Sequence, residues 1–205
     1  MRNFSFRNMK QCGCDYRPPA VVAPEGIDRV LLHTCCAPCS SAIVECLLHN
    51  GITPTLYYCN PNIYPLEEYL KRKEECTRFA LSLGLEVIDE DYDHECWRAA
   101  VHGLENEPER GGRCLRCFSL RLKRTAEYAS SHGFRLMTTT LASSRWKSLD
   151  QINRAGHEAV QPYDGLIWWE QNWRKGGLQE RRNALIRQYD FYNQQYCGCE
   201  FSIRH

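Results

Sequence analysis

Three cysteine pairs, Cys35-Cys36, Cys114-x-x-Cys117 and Cys197-Gly-Cys199, are the residues whose type and spacing could do chemistry in this chain. The thiolate is the form of cysteine that binds soft metals and the form that attacks disulfides. Cys114-x-x-Cys117 follows Gly111-Gly112-Arg113 and opens an expected helix. Free backbone N–H groups, the positive helix end, Arg113 and Arg116 should all favour thiolate there. Cys35-Cys36 offers two more sulfurs on a loop behind an expected strand. Together the four close a tetrathiolate set, and by spacing alone a structural zinc ion and an iron–sulfur site stand level.

Cys197-Gly-Cys199 is different in kind. With one residue between the sulfurs, a disulfide would close a small, strained ring that is easily reduced. That suits a redox-active pair; the same sulfurs could instead bind a metal, or be incidental thiols in a tail. Cys39, in Cys35-Cys-Ala-Pro-Cys39, starts the first helix and reads as an extra metal ligand, a redox partner or a mere cap. Cys12-Gly-Cys14 repeats the one-residue spacing in an irregular stretch, where incidental thiols are the better reading. Cys46 and Cys76 fall on apolar helix faces and read as core residues. Cys59 and Cys96 are ambiguous, with the core reading favoured.

Basic residues surround these motifs. Arg110, Arg113, Arg116, Arg121, Lys123 and Arg124 accompany the C-x-x-C, with no acidic residue from 110 to 124. Arg145, Lys147, Arg174, Lys175, Arg181 and Arg182 continue the bias, interleaved with Trp146, Trp168, Trp169 and Trp173. Arginine beside exposed aromatics is what phosphate contact and base stacking require of an RNA-binding face. Solvated helix faces and core tryptophans would produce much of the same pattern.

The elements that must position these groups alternate strand and helix. Expected strands lie at 29–35, 55–59, 85–89, 136–140 and 166–169. Expected helices lie at 40–50, 66–83, 94–102, 114–132, 149–159 and 178–189, with Gly51, Gly84 and Gly133 as stops. Such alternation predicts an α/β fold with a mainly parallel sheet and flanking helices, and sites in such sheets gather beyond the carboxyl ends of the strands. The loops at Cys35-Cys36, Cys59-Asn60 and Thr140–Ser144 should therefore share one edge. Residues 1–28, broken by Pro18, Pro19 and Pro24, read as an irregular extension, and 29–205 as a single α/β catalytic domain.

Composition is ordinary for a globular chain: 43% hydrophobic, 25% charged and a formal net charge of +1 over 205 residues. The near-zero charge excludes a uniformly basic nucleic-acid binder but not a local basic face. No apolar run is long enough to cross a bilayer, and the first ten residues carry no apolar signal segment, so the chain is expected in the cytoplasm. Thirteen cysteines cannot all pair, and in a reducing compartment clustered thiols are metal ligands or redox groups rather than staples.

The motifs His33-Thr-Cys-Cys-Ala-Pro38, Tyr58-Cys-Asn-Pro-Asn-Ile63 with Pro65-Leu-Glu-Glu-Tyr69, Arg113-Cys-x-x-Cys117, Thr139-Thr-Leu-Ala-Ser143, Asn172-x-Arg-Lys-Gly-Gly177 and Tyr196-Cys-Gly-Cys199 occur in this order. In that combination the chain, from Leu31 to its end, resembles the cobalamin-independent epoxyqueuosine reductases (QueH). The resemblance implies a Rossmann-like fold related to adenine-nucleotide α-hydrolases, a [4Fe–4S] cluster, and reduction of epoxyqueuosine at the wobble position of tRNA to queuosine, with an electron donor that the sequence does not name. It implies Cys35, Cys36, Cys114 and Cys117 as cluster ligands and Cys197 with Cys199 as a redox-active, disulfide-forming pair or as ligands of one additional iron. Some relatives carry a carboxylate where this chain has Cys39, which leaves the ligands of that iron open. Asn60, Asn62, Tyr64, Arg113, Arg145, Arg174 and Lys175 are candidates for substrate binding. No Gly-rich phosphate loop follows the first strand, so no ATP chemistry is expected.

Three competing readings make different demands. A zinc-binding, non-catalytic RNA-binding module would be colourless and contain zinc without sulfide. A thiol-based tRNA sulfur-transfer enzyme would carry a persulfide and leave sulfur in the RNA. A cysteine-rich scaffold would lose no activity on mutation of Cys114.

Overall fold

In the computed structural model, which describes residues 16–203, the apolar run Arg29–Thr34 forms β1 and Thr53–Tyr58 forms β2. Val87–Asp89, Leu136–Thr139 and Ile167–Trp168 form β3, β4 and β5. The helices are α1 Ala37–His49, α2 Leu66–Ser82, α3 His94–Ala100, α4 Gly112–Ser131, α5 Leu149–Val160 and α6 Leu178–Tyr189. All strands are parallel, in the order β3-β2-β1-β4-β5. The expected Rossmann-like α/β architecture is present. No helix among the described residues is long and apolar enough to cross a membrane.

Strand alternation decides which helices cover which face. Val30, Leu32, Leu56 and Tyr58 point into a core with α1, α2 and α6, while Leu31, Tyr57 and Met137 point into a core with α4 and α5. Each fully buried leucine contributes about 1.5–3 kcal/mol, so the two-sided sheet is the main reason the strand ends hold still. On α5, a Cβ at Gly156 would lie only 2.1 Å from the Trp168 ring, so this glycine allows helix and strand to approach.

Registry then sets the functional edge. Thr34 pairs with Tyr58, Tyr58 with Asp89, and His33 with Thr139, which brings the ends of β1–β4 level. From β1 the chain winds outward to β2 and β3, then returns to β4 on the other side. The gap between the ends of β1 and β4 is thus the switch point where a doubly wound sheet opens a crevice.

Several boundaries differ from expectation. Helix α1 starts at Ala37 rather than Ser40, because Pro38 sits in the first turn, where its missing N–H costs nothing. Helix α4 starts at Gly112 with Gly111 as its cap. Among the described residues before β1, 16–28, the chain forms no regular element beyond a 3₁₀ turn at Pro24–Gly26. This stretch is nevertheless packed: Asn50 donates to the Pro19 carbonyl at 3.0 Å, and a Cβ at Gly176 would touch the Pro19 ring. Cys12 and Cys14 lie outside the described residues.

Candidate active site

The strand-end edge is organised by His33. Its Nε2 faces the Cys59 carbonyl at 3.1 Å and its Nδ1 the Thr139 hydroxyl at 2.7 Å. A carbonyl can only accept, so Nε2 carries the proton and Nδ1 accepts from Thr139. Burial, helped by the charge of Arg121, pushes the His33 pKa down to about 3, and the ring ties β1 to both neighbours as a neutral group. Arg121, itself buried, donates to the Cys59 carbonyl at 3.1 Å and to the Asn60 side-chain oxygen.

Directly beyond β1 the chain presents three sulfurs. Cys35 and Cys36 lie 3.7 Å apart, and the sulfurs of Cys35, Cys36 and Cys39 all fall within 4.8 Å of one another. Cys36 occupies the N-cap position of α1 with no side-chain capping bond, so Cys39 is not the cap; it lies in the first turn and turns its sulfur back to the group. The Thr140 hydroxyl approaches Cys35 Sγ at 3.7 Å from the end of β4. Thiols of Cys36 and Cys39 donate to Cys35, and with Lys147 and Arg121 they hold it well below the usual thiol range. Burial and the neighbouring sulfurs push Cys36 upward.

The C-x-x-C pair stands on the first turns of α4. The backbone N–H of Arg110 donates to Cys114 Sγ at 3.3 Å. Even so, the Cys114 pKa is raised, because burial and the nearby sulfurs of Cys117 and Cys197 outweigh that hydrogen bond and the Arg113 charge. The expectation that the helix end would make Cys114 the thiolate is therefore corrected. Cys35 and Cys197 are instead the thiols held well below their ordinary range.

A C-terminal strap carries Cys197 and Cys199 to this place. The backbone N–H of Tyr192 donates to Glu75 at 2.8 Å and its hydroxyl to Glu68 at 3.0 Å. Arg72, 2% exposed, pairs with Glu68 and donates to the Tyr196 carbonyl at 3.3 Å. The Gly198 carbonyl accepts from the Tyr64 N–H at 2.8 Å. At the end of the strap Cys199 donates to Cys197; with the Lys147 charge this holds Cys197 well below its ordinary range, and Cys199 well above. Burial disfavours the Lys147 ammonium, but the negative charge on Cys197 and Cys35 outweighs it and raises its pKa.

Two adjoining cavities share these groups. A cleft of about 380 Å³ is lined by Cys35, Cys39 and Cys197 together with Lys147, Gln194 and Tyr196. This size suits a nucleoside. Beside it a pocket of about 40 Å³ is lined by Cys114, Cys117, Cys197 and Cys199, with Asn62 and Lys147. Cys197 and Lys147 face both. The donor chemistry suits a soft metal group: thiols converge from three separate stretches of chain, and the buried Asn62 Oδ1 lacks a hydrogen-bond partner.

Other residues singled out in the sequence divide between site and scaffold. Asn60 is buried, with one end of its amide on the Thr34 carbonyl at 2.9 Å and the other on Arg121. Tyr64 is 43% exposed beside the strap and stacks on His94. Arg113 is buried and braces the preceding loop through the carbonyls of Glu105 and Glu107, both at 2.5 Å. Arg145 is exposed on the cleft rim. Arg174 donates to the Lys147 carbonyl at 2.8 Å, and Lys175 is exposed on the turn before α6 without lining the cleft. The interleaved basic and aromatic residues divide between cleft rim and core, as the alternative reading of the sequence allowed. Trp168, Trp169 and Trp173 are core residues, and the buried Arg181 pairs with Glu45 at 2.6 Å. Cys46, Cys59 and Cys76 are buried thiols that burial keeps protonated, with pKa values near 11, 12 and 12. Cys96 is only half-buried, accepting from Arg124 at 3.4 Å. Sequence reasoning missed Gln194, whose Nε2 donates to Cys36 at 2.9 Å, and Arg72; neither carries a motif of its own.

Fold and site together define a Rossmann-like α/β protein with a cysteine-lined cleft at the switch point of its sheet. Comparison with known proteins makes this specific. A family profile described as "Epoxyqueuosine reductase QueH" matches residues 30–205. The protein of that name from Haemophilus influenzae is 50% identical over 181 residues, which cover 88% of this chain and 74% of that one. The Histophilus somni protein is 46% identical over 201 residues, covering 97% and 83%, and the Thermotoga maritima protein 36% identical over 177 residues, covering 85% and 90%. This chain belongs to the QueH family.

Proposed function

We propose that the chain reduces epoxyqueuosine in tRNA to queuosine, in the cytoplasm, with the epoxide oxygen leaving as water. The observation that carries this reading is the convergence on one nucleoside-sized cleft of a low-pKa thiol, Cys197, with its partner Cys199, a charged Lys147 and the Cys35 group. Opening an epoxide to an alkene consumes two electrons and two protons. The Cys197 thiolate and the Cys199 thiol supply both electrons and one proton when they become a disulfide, and solvent water in the open cleft supplies the second proton, so the reaction balances in one turnover. The epoxide oxygen gains two protons, the carbons gain their double bond, and the sulfurs are oxidised to the disulfide. Lys147 keeps its proton and places positive charge where oxygen develops negative charge.

In this reading a [4Fe–4S] cluster is held by Cys35, Cys36, Cys114 and Cys117. When bound, it supplies single electrons from an external donor. The Cys39 sulfur lies within 4.8 Å of those of Cys35 and Cys36, which supports a further role for Cys39, at one additional iron. Cys197 and Cys199 as ligands of that iron, rather than as a disulfide, is the second form of the same reading. Lys147 and Cys35 are held in place by the protein in either form. Asn62, Tyr64 and Arg145 line or flank the route by which the nucleoside enters, and Asn60, Arg113 and Arg174 hold the walls.

The test is anaerobic preparation, iron and acid-labile sulfide analysis, and incubation with tRNA carrying epoxyqueuosine and a chemical reductant. The expected product is queuosine, one oxygen lighter by mass spectrometry. Zinc without sulfide, or sulfur transferred to the RNA, would overturn the reading.

A further inference from the structure

Trp146 is 71% exposed, the largest side chain left in solvent at the rim of both cavities. Other tryptophans of the chain are buried, so the location of this one needs a reason. The loop that carries it is not slack. Arg110 donates from Nη2 to the Arg145 carbonyl at 2.6 Å and from Nε to the Trp146 carbonyl at 3.2 Å. Arg174 holds the next carbonyl, that of Lys147, at 2.8 Å. To reach its position Arg110 takes a left-handed backbone conformation, φ +69°, that is unfavourable for a residue with a Cβ. Gln151 in turn holds the Arg110 carbonyl at 2.8 Å. Three side chains and one strained residue thus fix the backbone beneath an indole that touches solvent.

The surroundings select the partner. Arg72, Arg121, Arg145, Lys147 and Arg182 line the cleft against a single carboxylate, Glu109. A flat aromatic ring on a rigid loop, set among cations, is a platform for a nucleobase whose backbone is anionic. The cleft itself has room for one nucleoside, and the indole stands outside it, at the mouth.

We infer that Trp146 stacks on a base flanking the nucleotide that enters the cleft, so that the site reads an RNA segment rather than a nucleoside alone. This rests on the proposed function for the identity of the entering nucleotide. It adds a recognition residue that the cysteine chemistry does not require.

The test is binding of the anaerobically prepared full-length protein to an anticodon stem-loop RNA with epoxyqueuosine at the wobble position, followed by fluorescence anisotropy. Trp146→Ala should bind about 5- to 150-fold more weakly, the range that stacking on one base provides. Trp146→Phe should recover most of the loss. A stem-loop lacking the base on one side of the wobble position should bind wild type more weakly and abolish the difference between wild type and Trp146→Ala. Equal binding of wild type and Trp146→Ala to the intact stem-loop overturns the inference, as does a loss that persists undiminished on both abasic RNAs. The abasic comparison on wild type decides the matter even if a variant misfolds. Tight, base-dependent binding without turnover would contradict the proposed reduction and leave the stacking inference standing.

Discussion

Gln194 donates from Nε2 to the sulfur of Cys36 at 2.9 Å, joining the C-terminal strap to the loop behind β1. The same nitrogen lies 3.6 Å from Cys39. One amide therefore links the segment that delivers Cys197 to the sulfurs at the sheet edge. Hydrogen bonds to a ligating sulfur tune a metal centre as well as hold it.

Replacing this amide by a side chain of similar size removes the link without emptying the space. A hydrogen bond to a thiolate, the form in which Cys36 would ligate a metal, contributes about 1.5–3 kcal/mol. Gln194→Leu should retain its iron, lower turnover about tenfold or more, and make Cys36 slower to alkylate in iron-free protein, because its thiolate loses a donor. Turnover assays and mass spectrometry of iodoacetamide-treated protein check both effects.

The glycine between Cys197 and Cys199 is required by geometry. Gly198 has φ +101°, and a Cβ there would lie 2.8 Å from Ile63 Cγ1 and 3.2 Å from Arg72 Nη1. Left-handed strain alone costs about 1–3 kcal/mol, and the contacts add to it. Gly198→Ala should shift the two sulfurs, reduce turnover by more than a hundredfold, and lower the melting temperature by only a few degrees. Comparing the two measurements separates displacement of the pair from general unfolding.

Lys147 faces Cys197 and Cys35 across the cleft and stays charged there. Losing one preorganised donor to a developing oxyanion costs about 10²–10³ in rate. Lys147→Met should therefore lower kcat by about that factor while stem-loop binding falls much less. Single-turnover kinetics beside the anisotropy titration give the two values.

Glu75 anchors the strap through the Tyr192 N–H, and burial raises its pKa. Its folded state binds a proton more readily than the unfolded chain, so the stability it contributes is present below the ordinary carboxylate pKa and is lost as pH rises through the raised value. Glutamine keeps the acceptor oxygen and cannot ionise. The melting temperature of Glu75→Gln relative to wild type should increase from pH 4.5 to pH 8. A constant difference would mean that the carboxyl does not titrate differently in the two states.

The sequence made the fold legible because each strand is a short apolar run and each helix keeps one apolar face. The shared edge of Cys35, Asn60 and Thr140 followed from that alternation. Burial of charge was not legible. Arg121 and Arg181 sit among basic residues in sequence, yet each turns inward to a partner more than sixty residues away, Asn60 and Glu45 respectively. Tryptophans at 168, 169 and 173 look the same in a sequence as the exposed one at 146. The electrostatics of Cys114 misled for a related reason: the helix end was visible, but the desolvation around it and the sulfurs brought in by the strap were not. Cys39 joined Cys35 and Cys36 only because α1 begins three residues early, which brings its first turn back toward them.

The central claim is that Cys197 and Cys199 work on the substrate while other cysteines hold the metal group. The direct measurement is turnover of epoxyqueuosine-containing tRNA by Cys197→Ser protein whose iron and sulfide content has been shown to equal that of wild type. Conversion to queuosine should fall by at least a thousandfold with the cluster content unchanged. Normal turnover by that protein would contradict the claim.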